Sequence, residues 1–247
     1  SGNSSPRDIL IKDRYHNVWI YNSKLELLWE ASCNTGHYPC AYDIDEDGKD
    51  EIVIGYTLFD HNGSKLWEVP DLRDNADGIV VSPIGLDGEV KIVIAGGDDG
   101  IMIVDKNGNT IVRHNIGHAQ TPSVAKFFPE MPDLQICTIT YWKYPGTICL
   151  FDSKGSILSK FEIYPIGSPL LPVNWKGDGQ EYILFSGDTV YGGLFDGRGN
   201  RVLEFPDDGH PILCCTALDL LGDPRDEIVL WDTEKMYIYT QDTQFSG

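Results

Sequence analysis

Basic residues are scarce in this sequence, and long hydrophobic runs are missing from it. Lysine and arginine number 19 against 38 aspartates and glutamates, so the formal net charge is −19. Because phosphate binding needs a basic surface, this balance argues against a nucleic-acid partner. No apolar stretch approaches the ~20 residues of a membrane-spanning helix, so no membrane span is expected. No secretory leader is recognisable, and the oligomeric state stays open.

Cysteine spacings typical of a metal site or a disulfide scaffold are missing as well, and so is helical periodicity. The six cysteines have neither the spacing of a zinc site nor the pattern of a small disulfide scaffold. Most of them lie in apolar runs, which favours buried free thiols. No segment of useful length has apolar residues at helical spacing, so a helical fold is excluded. With 41% apolar and 23% charged residues, the 247-residue chain can still form a core.

Internal repetition is the strongest feature that the sequence does have. The segments TLFDHNG, MIVDKNG, CLFDSKG and GLFDGRG each end a β-rich run with an aspartate and a glycine turn. Their aspartates are separated by 45, 47 and 44 residues: Asp60, Asp105, Asp152 and Asp196. Repeats of ~40–50 residues with four short strands are typical of propeller blades. The sequence therefore predicts a single all-β domain, residues 1–247, folded as a β-propeller of four-stranded antiparallel blades.

Alignment on the glycine turn divides the chain into six blade repeats. Four are whole: 32–69, 70–115, 116–163 and 164–206. The segment 6–31 supplies only the last three strands of a blade, and 207–242 only the first three. Either the terminal blades are short or the chain is part of a longer propeller, and the second interpretation is preferred.

An acidic loop follows the predicted first strand of the repeat 32–69, in AYDIDEDGKDE. Oxygen ligands at alternate positions with a glycine at the sharp turn suit Ca²⁺. The predicted ligand residues are Asp43, Asp45, Asp47, Lys49 and Glu51. An EF-hand would need a glutamate where Ile54 stands, so the pattern indicates an inter-strand calcium loop of the FG-GAP type. The alternative is a solvated acidic turn without metal.

A second candidate set of metal ligands lies in DLLGDPRDE, at Asp219, Asp223 and Glu227. Leu221 stands at the second ligand position there. A turn without metal is therefore favoured over a second calcium site in this loop.

Three histidines follow a glycine just before a predicted first strand: His37, His118 and His210. Asp77 occupies the matching place in the repeat 70–115. Because the innermost strands of a propeller line one channel, these four residues are predicted to be neighbours. Imidazoles in such a place suit general base catalysis or metal binding. The alternative for each histidine is a role in capping its loop.

Cations and aromatic residues adjoin each other in two further segments, IKDRYHNVW and TYWKYPG. Stacking on sugar faces and pairing with sugar carboxylates would use such residues. The candidates for substrate binding are Lys12, Arg14, Tyr141 and Trp142, together with Asp77. The alternative is that they are ordinary exposed hairpin residues.

Three segments resemble the rhamnogalacturonan lyases, propeller enzymes that degrade pectin: RDILIKDRYHNVWIY, TGHYPCAYDIDEDGKDE and ALDLLGDPRDEIVLWDTEKMYIYT. The resemblance implies an eight-bladed, calcium-binding, secreted or periplasmic propeller that cleaves an acidic polysaccharide by β-elimination. This chain departs from that pattern, because it shows six repeats and one complete calcium loop.

The resemblance suggests a mechanism with named residues. The base would be a histidine of the Gly-His group, His37 or His118 in preference to His210, and Tyr38 would be the acid. Arg14 and Lys12 would neutralise the substrate carboxylate, and Asp77 would orient a histidine or bind a metal ion. The rival hypothesis is a non-catalytic propeller that binds carbohydrate or protein. A glycoside hydrolase is a third class, but it needs two opposed carboxylates, and Asp77 has no evident partner.

Overall fold

The computed structural model describes residues 7–163 and 170–245. These residues form 22 β-strands in six antiparallel sheets, and no helix occurs among them. Four sheets have four strands and the first and last have three, which confirms the predicted all-β class and the six repeats. The first six residues, and residues 164–169 at the start of the predicted repeat 164–206, lie outside the described residues. None of the described residues belongs to a helix suited to membrane crossing.

The chain divides into two compact units. The first comprises Ser1–Pro83 and Asp87–Pro122. It contains three sheets whose strands pair in chain order: β1 (Ile9–Lys12), β2 (Asn17–Tyr21) and β3 (Leu27–Ser32); β4 (Cys40–Tyr42), β5 (Glu51–Ile54), β6 (Thr57–Phe59) and β7 (Lys65–Glu68); β8 (Gly78–Pro83), β9 (Val90–Ala95), β10 (Ile101–Asp105) and β11 (Thr110–His114).

The second unit comprises Ile84–Leu86 and Ser123–Gly247. Its sheets are built in the same way, and the first strand of the first sheet begins just before the unit boundary: β12 (Ala119–Ala125), β13 (Gln135–Thr140), β14 (Thr147–Phe151) and β15 (Ile157–Glu162); β16 (Leu171–Val173), β17 (Tyr182–Ser186), β18 (Gly193–Phe195) and β19 (Arg201–Leu203); β20 (Cys214–Leu218), β21 (Glu227–Trp231) and β22 (Met236–Tyr239).

Position in the sheet explains the residue pattern of each strand. In the four-stranded sheets, the second and third strands are covered on both faces, so they read as continuous apolar runs such as IVIA in β9 and ICLF in β14. The fourth strands have one exposed face, and β15 alternates between exposed and partly buried residues. Buried side chains such as Ile92 and Met102 form a core in the first unit, and Phe127 and Leu150 do so in the second.

The repeated Asp-x-x-Gly turn joins the third and fourth strands and links successive sheets. The carboxylate of Asp105 accepts hydrogen bonds from the backbone of Asn107 and Asn109, and Asp152 and Asp196 act alike. In the first unit, Trp29 Nε1 donates to the carbonyl of His61 (3.1 Å) in the turn of the following sheet. Trp67 Nε1 donates in the same way to Lys106 (2.9 Å). These contacts tie the last strand of one sheet to the turn between the third and fourth strands of the next.

Candidate functional site

The loop between β1 and β2 presents a cation and a phenol. The Asp13 carboxylate accepts hydrogen bonds from the backbone N–H groups of Tyr15, His16 and Asn17, at 3.2, 2.6 and 2.8 Å. These bonds, the one to Asn17 first, lower the pKa of Asp13 to about 2. Because the loop is held by its own aspartate, Arg14 and Tyr15 have a defined position: Arg14 Nε donates to the Tyr15 hydroxyl at 3.0 Å.

His37 lies beside this loop because the chain makes a tight contact just before it. The His37 N–H donates to the carbonyl of Ala76 at 2.8 Å. Gly36 has φ +55°, and a Cβ there would lie 2.5 Å from the same carbonyl oxygen, so a side chain is excluded. The Tyr15 hydroxyl is 3.5 Å from His37 Nε2. The close approach of the two backbones therefore requires the glycine at position 36, and it places the His37 side chain next to it.

Asp77 is the buried centre of the site. Its Oδ1 is 3.2 Å from His37 Nε2, and its Oδ2 is 2.8 Å from His118 Nε2. Gln120 Nε2 donates to Oδ2 at 3.4 Å. Burial raises the pKa of the Asp77 carboxyl, and the imidazoles of His118 and His37 oppose that rise. The structure thus brings His37, Asp77 and His118 together, and we call this group, with Arg14 and Tyr15, the histidine site.

The two imidazoles have different surroundings. His118 Nδ1 lies 2.8 Å from Asp98 Oδ1 and 3.4 Å from Asp74 Oδ2, so both of its nitrogens face carboxylates. The His37 side chain is 36% exposed, and its Nδ1 has no hydrogen-bond partner among residues 7–163 and 170–245. When Asp77 accepts the Nε2 proton of His37, the lone pair of the neutral ring lies on Nδ1. The geometry therefore favours His37 over His118 as a base.

Two further predicted residues lie near His37 and Arg14. Tyr38 follows His37, with its ring centroid 6.3 Å away and its side chain largely exposed. Lys12 Nζ donates to the carbonyls of Asp13 and Arg14, at 2.9 and 3.3 Å, and so supports the loop with its charge next to Arg14.

The other predicted binding and catalytic residues belong to the second unit. Tyr141 and Trp142 follow β13 and pack edge to face at 5.6 Å, with Trp142 exposed. His210 is buried: its Nδ1 contacts Asp208 Oδ1 at 2.7 Å and its Nε2 the carbonyl of Gly187 at 2.6 Å. Both ring nitrogens are therefore occupied within the unit, which suits a structural histidine.

The first acidic loop, residues 43–51, presents convergent carboxylates. One ligand oxygen or nitrogen from each member of two groups, Asp43–Asp45–Glu51 and Asp47–Glu51–His61, lies within 4.8 Å of the others in its group. Asp43 Oδ1 is buried and has no hydrogen-bond partner among the described residues. Burial raises the pKa of Glu51, whose carboxylate also accepts the Ile44 N–H at 2.8 Å. An orphaned oxygen among carboxylates fits a hard divalent cation.

The ammonium group of Lys49 contacts two members of the Asp47–Glu51–His61 group. Its Nζ is 3.1 Å from His61 Nε2 and 3.9 Å from Asp47 Oδ2.

The second acidic loop, residues 219–227, is satisfied by protein groups. Arg225 Nη2 and Nε contact the two oxygens of Asp223 at 2.7 and 3.0 Å. Glu227 accepts the N–H groups of Leu220 and Leu221, and Asp219 accepts that of Gly222 at 2.6 Å. The structure gives no convergent ligand group here among the described residues, because the cation is supplied by Arg225.

Sequence reasoning did not assign a role to Asp74 or Asp98, and it included Tyr15 only as an aromatic residue of the segment IKDRYHNVW. Asp74 and Asp98 stand in the turn-like segments DNADG and GGDDG. Only the pairing of β8 with β9 brings these segments to the same end of one sheet. No local pattern could have identified them, because their partner His118 comes from the following repeat.

No protein-family model and no curated protein matches the sequence. In structure the chain is similar to the rhamnogalacturonan lyase YesW, with TM-score 0.70 and 19% identity over 92% of this chain and 42% of that one. The exotype rhamnogalacturonan lyase YesX gives TM-score 0.71 and 20% identity over 92% and 43%. The Dos1 propeller gives 0.60 and 13% over 91% and 62%. These likenesses show a β-propeller fold, and the chain spans less than half the length of the two lyases.

Proposed function

We propose that this propeller binds an acidic polysaccharide and cleaves it by β-elimination at the histidine site. The observation that carries the proposal is the Asp77–His37 pair beside the Tyr15 hydroxyl and the Arg14 guanidinium. The similarity to two rhamnogalacturonan lyases supports a uronate-containing substrate.

Elimination at a uronate needs a neutralised carboxylate, a base and an acid. Arg14 would pair with the substrate carboxylate, which makes the C5 proton more acidic. His37 Nδ1 would take that proton while the C4–O4 bond breaks and a C4–C5 double bond forms. A phenol would return a proton to the leaving O4. Tyr15 has the better position for this, since Arg14 Nε already contacts its hydroxyl, and Tyr38 is the alternative donor.

Asp77 would act as a positioning residue. Its carboxylate holds the Nε2 proton of His37 and leaves Nδ1 free to accept a proton. Arg14 and Lys12 are needed for a second reason: a net charge of −19 would otherwise repel an anionic polymer.

Ca²⁺ is proposed for the first acidic loop, at the carboxylates of Asp43, Asp45, Asp47 and Glu51 and the backbone carbonyl of Lys49. When bound there, the ion would fix the connection between β4 and β5. The strand β4 begins at Cys40, three residues after His37. Its role would be structural, and the proton transfers would belong to the histidine site. Asp219, Asp223 and Glu227 are not proposed as a second calcium site, because Arg225 neutralises Asp223.

The test is formation of an unsaturated uronate, followed by ultraviolet absorbance, with rhamnogalacturonan and other uronate polymers in the presence of Ca²⁺. Arg14→Ala should abolish the signal. Arg198→Ala is the matched control, since Arg198 is an exposed arginine paired with Glu130 in the second unit. Polymer binding without any product would replace the enzyme by a carbohydrate-binding module, the rival function. Absence of both product and binding would reject both.

A further inference from the structure

A second side-chain cluster adjoins the histidine site. It contacts His118 through Nδ1, whereas Asp77 contacts the same ring through Nε2. His118 Nδ1, Asp98 Oδ1 and Asp74 Oδ2 lie within 4.8 Å of one another. The His118 side chain is 15% exposed, whereas that of Asp98 is half exposed. All three residues belong to the first unit.

The hydrogen-bond chemistry of His118 requires a cation at this cluster. Its Nε2 is 2.8 Å from the buried carboxylate of Asp77, which can only accept when ionised. If Nε2–H donates there, the neutral ring has a lone pair on Nδ1, and this lone pair faces two further carboxylate oxygens. Either a proton or a metal ion must lie between the Nδ1 lone pair and these carboxylate oxygens. A metal-binding histidine usually coordinates the ion through one ring nitrogen and donates the N–H of the other ring nitrogen to a carboxylate.

Two hydrogen bonds hold Asp74 in place, and each of them uses a backbone N–H group. The Asp98 N–H donates to Asp74 Oδ2 at 2.7 Å, and the Asp74 N–H donates to Asp99 Oδ2 at 2.8 Å. Gly97 has φ +56°, and a Cβ there would lie 2.4 Å from Asp74 Oδ2, so the carboxylate can approach only a glycine. The backbone thus orients this carboxylate toward His118.

Asp99, which holds the backbone of Asp74, is itself neutralised. Arg113 Nη2 contacts Asp99 Oδ1 at 2.7 Å. Asp74 and Asp98, by contrast, have no lysine or arginine partner among the described residues. Two of the three residues, Asp74 and Asp98, line a pocket that is open to solvent, and His118 lies outside its lining. An ion could therefore enter, and solvent could complete its coordination.

We propose that Asp74, Asp98 and His118 bind Zn²⁺ or a similar divalent transition-metal ion. An imidazole with two carboxylates selects such ions over Ca²⁺, which prefers oxygen ligands alone. Ligands at ~2.0–2.1 Å in a tetrahedron are roughly 3.3–3.4 Å apart. His118 Nδ1 and Asp74 Oδ2 are 3.4 Å apart, and the half-exposed Asp98 needs to move outward from 2.8 Å by a few tenths of an ångström. Three protein ligands leave a coordination position open.

The site can be tested without any enzyme assay, because the proposal does not depend on the proposed function. The 247-residue chain is titrated with Co²⁺, whose visible absorption reports coordination, and with Zn²⁺ against a chromophoric chelator. Excess Ca²⁺ is present to fill oxygen-only sites. His118→Gln and Asp98→Asn should each weaken Zn²⁺ binding by roughly 100-fold or more. Asp77→Asn should weaken it by about 10–100-fold, as expected for loss of a carboxylate that orients a ligand.

Asp71→Asn is the matched control, since Asp71 lines the same pocket, is exposed and has φ +63°, which asparagine tolerates. It should leave the affinity unchanged, and circular dichroism of every variant checks that the sheets are intact. A proton in place of the metal would give no Co²⁺ spectrum and no Zn²⁺ competition, which overturns the proposal. Binding that is lost in His61→Gln and kept in His118→Gln would also overturn it by moving the ion to the Asp47–Glu51–His61 group.

Discussion

The two compact units contain the same two sequence features and treat them in opposite ways. Each has a Gly-His segment before a first strand and an acidic loop between a first and a second strand. In the first unit, His37 is partly exposed and Asp43 Oδ1 has no partner among the described residues. In the second, His210 is bonded at both nitrogens and Asp223 is paired with Arg225.

The difference teaches that the same motif serves binding or stability according to what surrounds it. Tyr239 donates to both oxygens of Asp208, which in turn contacts His210. Phe205 and Tyr237 complete an aromatic environment around the same ring. These groups close the second site from within. In the first unit, Asp43 Oδ1 and His37 Nδ1 have no hydrogen-bond partner among the described residues.

The largest effect is expected from removing the open histidine. His37→Ala should lower kcat/KM for β-elimination by about 10²–10⁴-fold, because the base is lost. The free energy of unfolding should fall by less than about 1 kcal/mol, since the side chain is more than a third exposed. Steady-state kinetics and urea unfolding measure the two quantities. Undiminished elimination by His37→Ala would place the base elsewhere.

The closed histidine should show the reverse behaviour. His210→Ala should lower the free energy of unfolding by about 2–4 kcal/mol, because it leaves a cavity and removes the ring N–H groups that contact Asp208 Oδ1 and the Gly187 carbonyl. Elimination per folded molecule should be unchanged. A loss of turnover without a loss of stability would contradict the comparison of the two histidines.

Calcium should distinguish the two acidic loops. At 100 times its Kd, Ca²⁺ should stabilise the protein by about 2.7 kcal/mol, and chelation should reverse this. Asp45→Asn should abolish the response, whereas the matched change Asp219→Asn should preserve it, because only the first loop has convergent carboxylates among the described residues. Thermal unfolding with and without Ca²⁺ is the measurement. Equal stabilisation of both variants by Ca²⁺ would show that the two acidic loops do not differ in calcium binding.

The smallest effect concerns the pH dependence of stability, which should have opposite signs at the two His–Asp pairs. The hydrogen bond from His210 lowers the pKa of Asp208, so its contribution is present above about pH 4 and is lost as the pH falls through the folded value. Burial raises the pKa of Asp77, so its contribution is present at acid pH and is lost as the pH rises.

Urea unfolding between about pH 3 and pH 7 tests these signs. The destabilisation caused by Asp208→Asn should grow with rising pH, and that caused by Asp77→Asn should shrink. Parallel pH profiles for the two variants would show that the two aspartates have similar surroundings, against the structure.

Much of the architecture could be predicted from the sequence, because propeller blades are local structures. Each sheet is formed by strands consecutive in the chain, so the turn marked by Asp60 and its copies gives strand order and repeat boundaries directly. The predicted neighbourhood comprised His37, Asp77, His118 and His210, and the observed distances show contacts among the first three. Asp74 and Asp98 were missed as site residues, because their contacts depend on how turns of different repeats meet.

The sequence by itself determined the all-β class, the six repeats and the two acidic loops, since strand alternation and turn chemistry act over a few residues. Only the tertiary structure decided which loop and which histidine remain open. Arg225 neutralises Asp223 within its own loop, and Tyr239 completes the surroundings of His210 from another strand. The physical reason is that packing between strands and sheets sets the burial and the hydrogen-bond partners of each side chain. Histidines in identical Gly-His segments therefore have different surroundings.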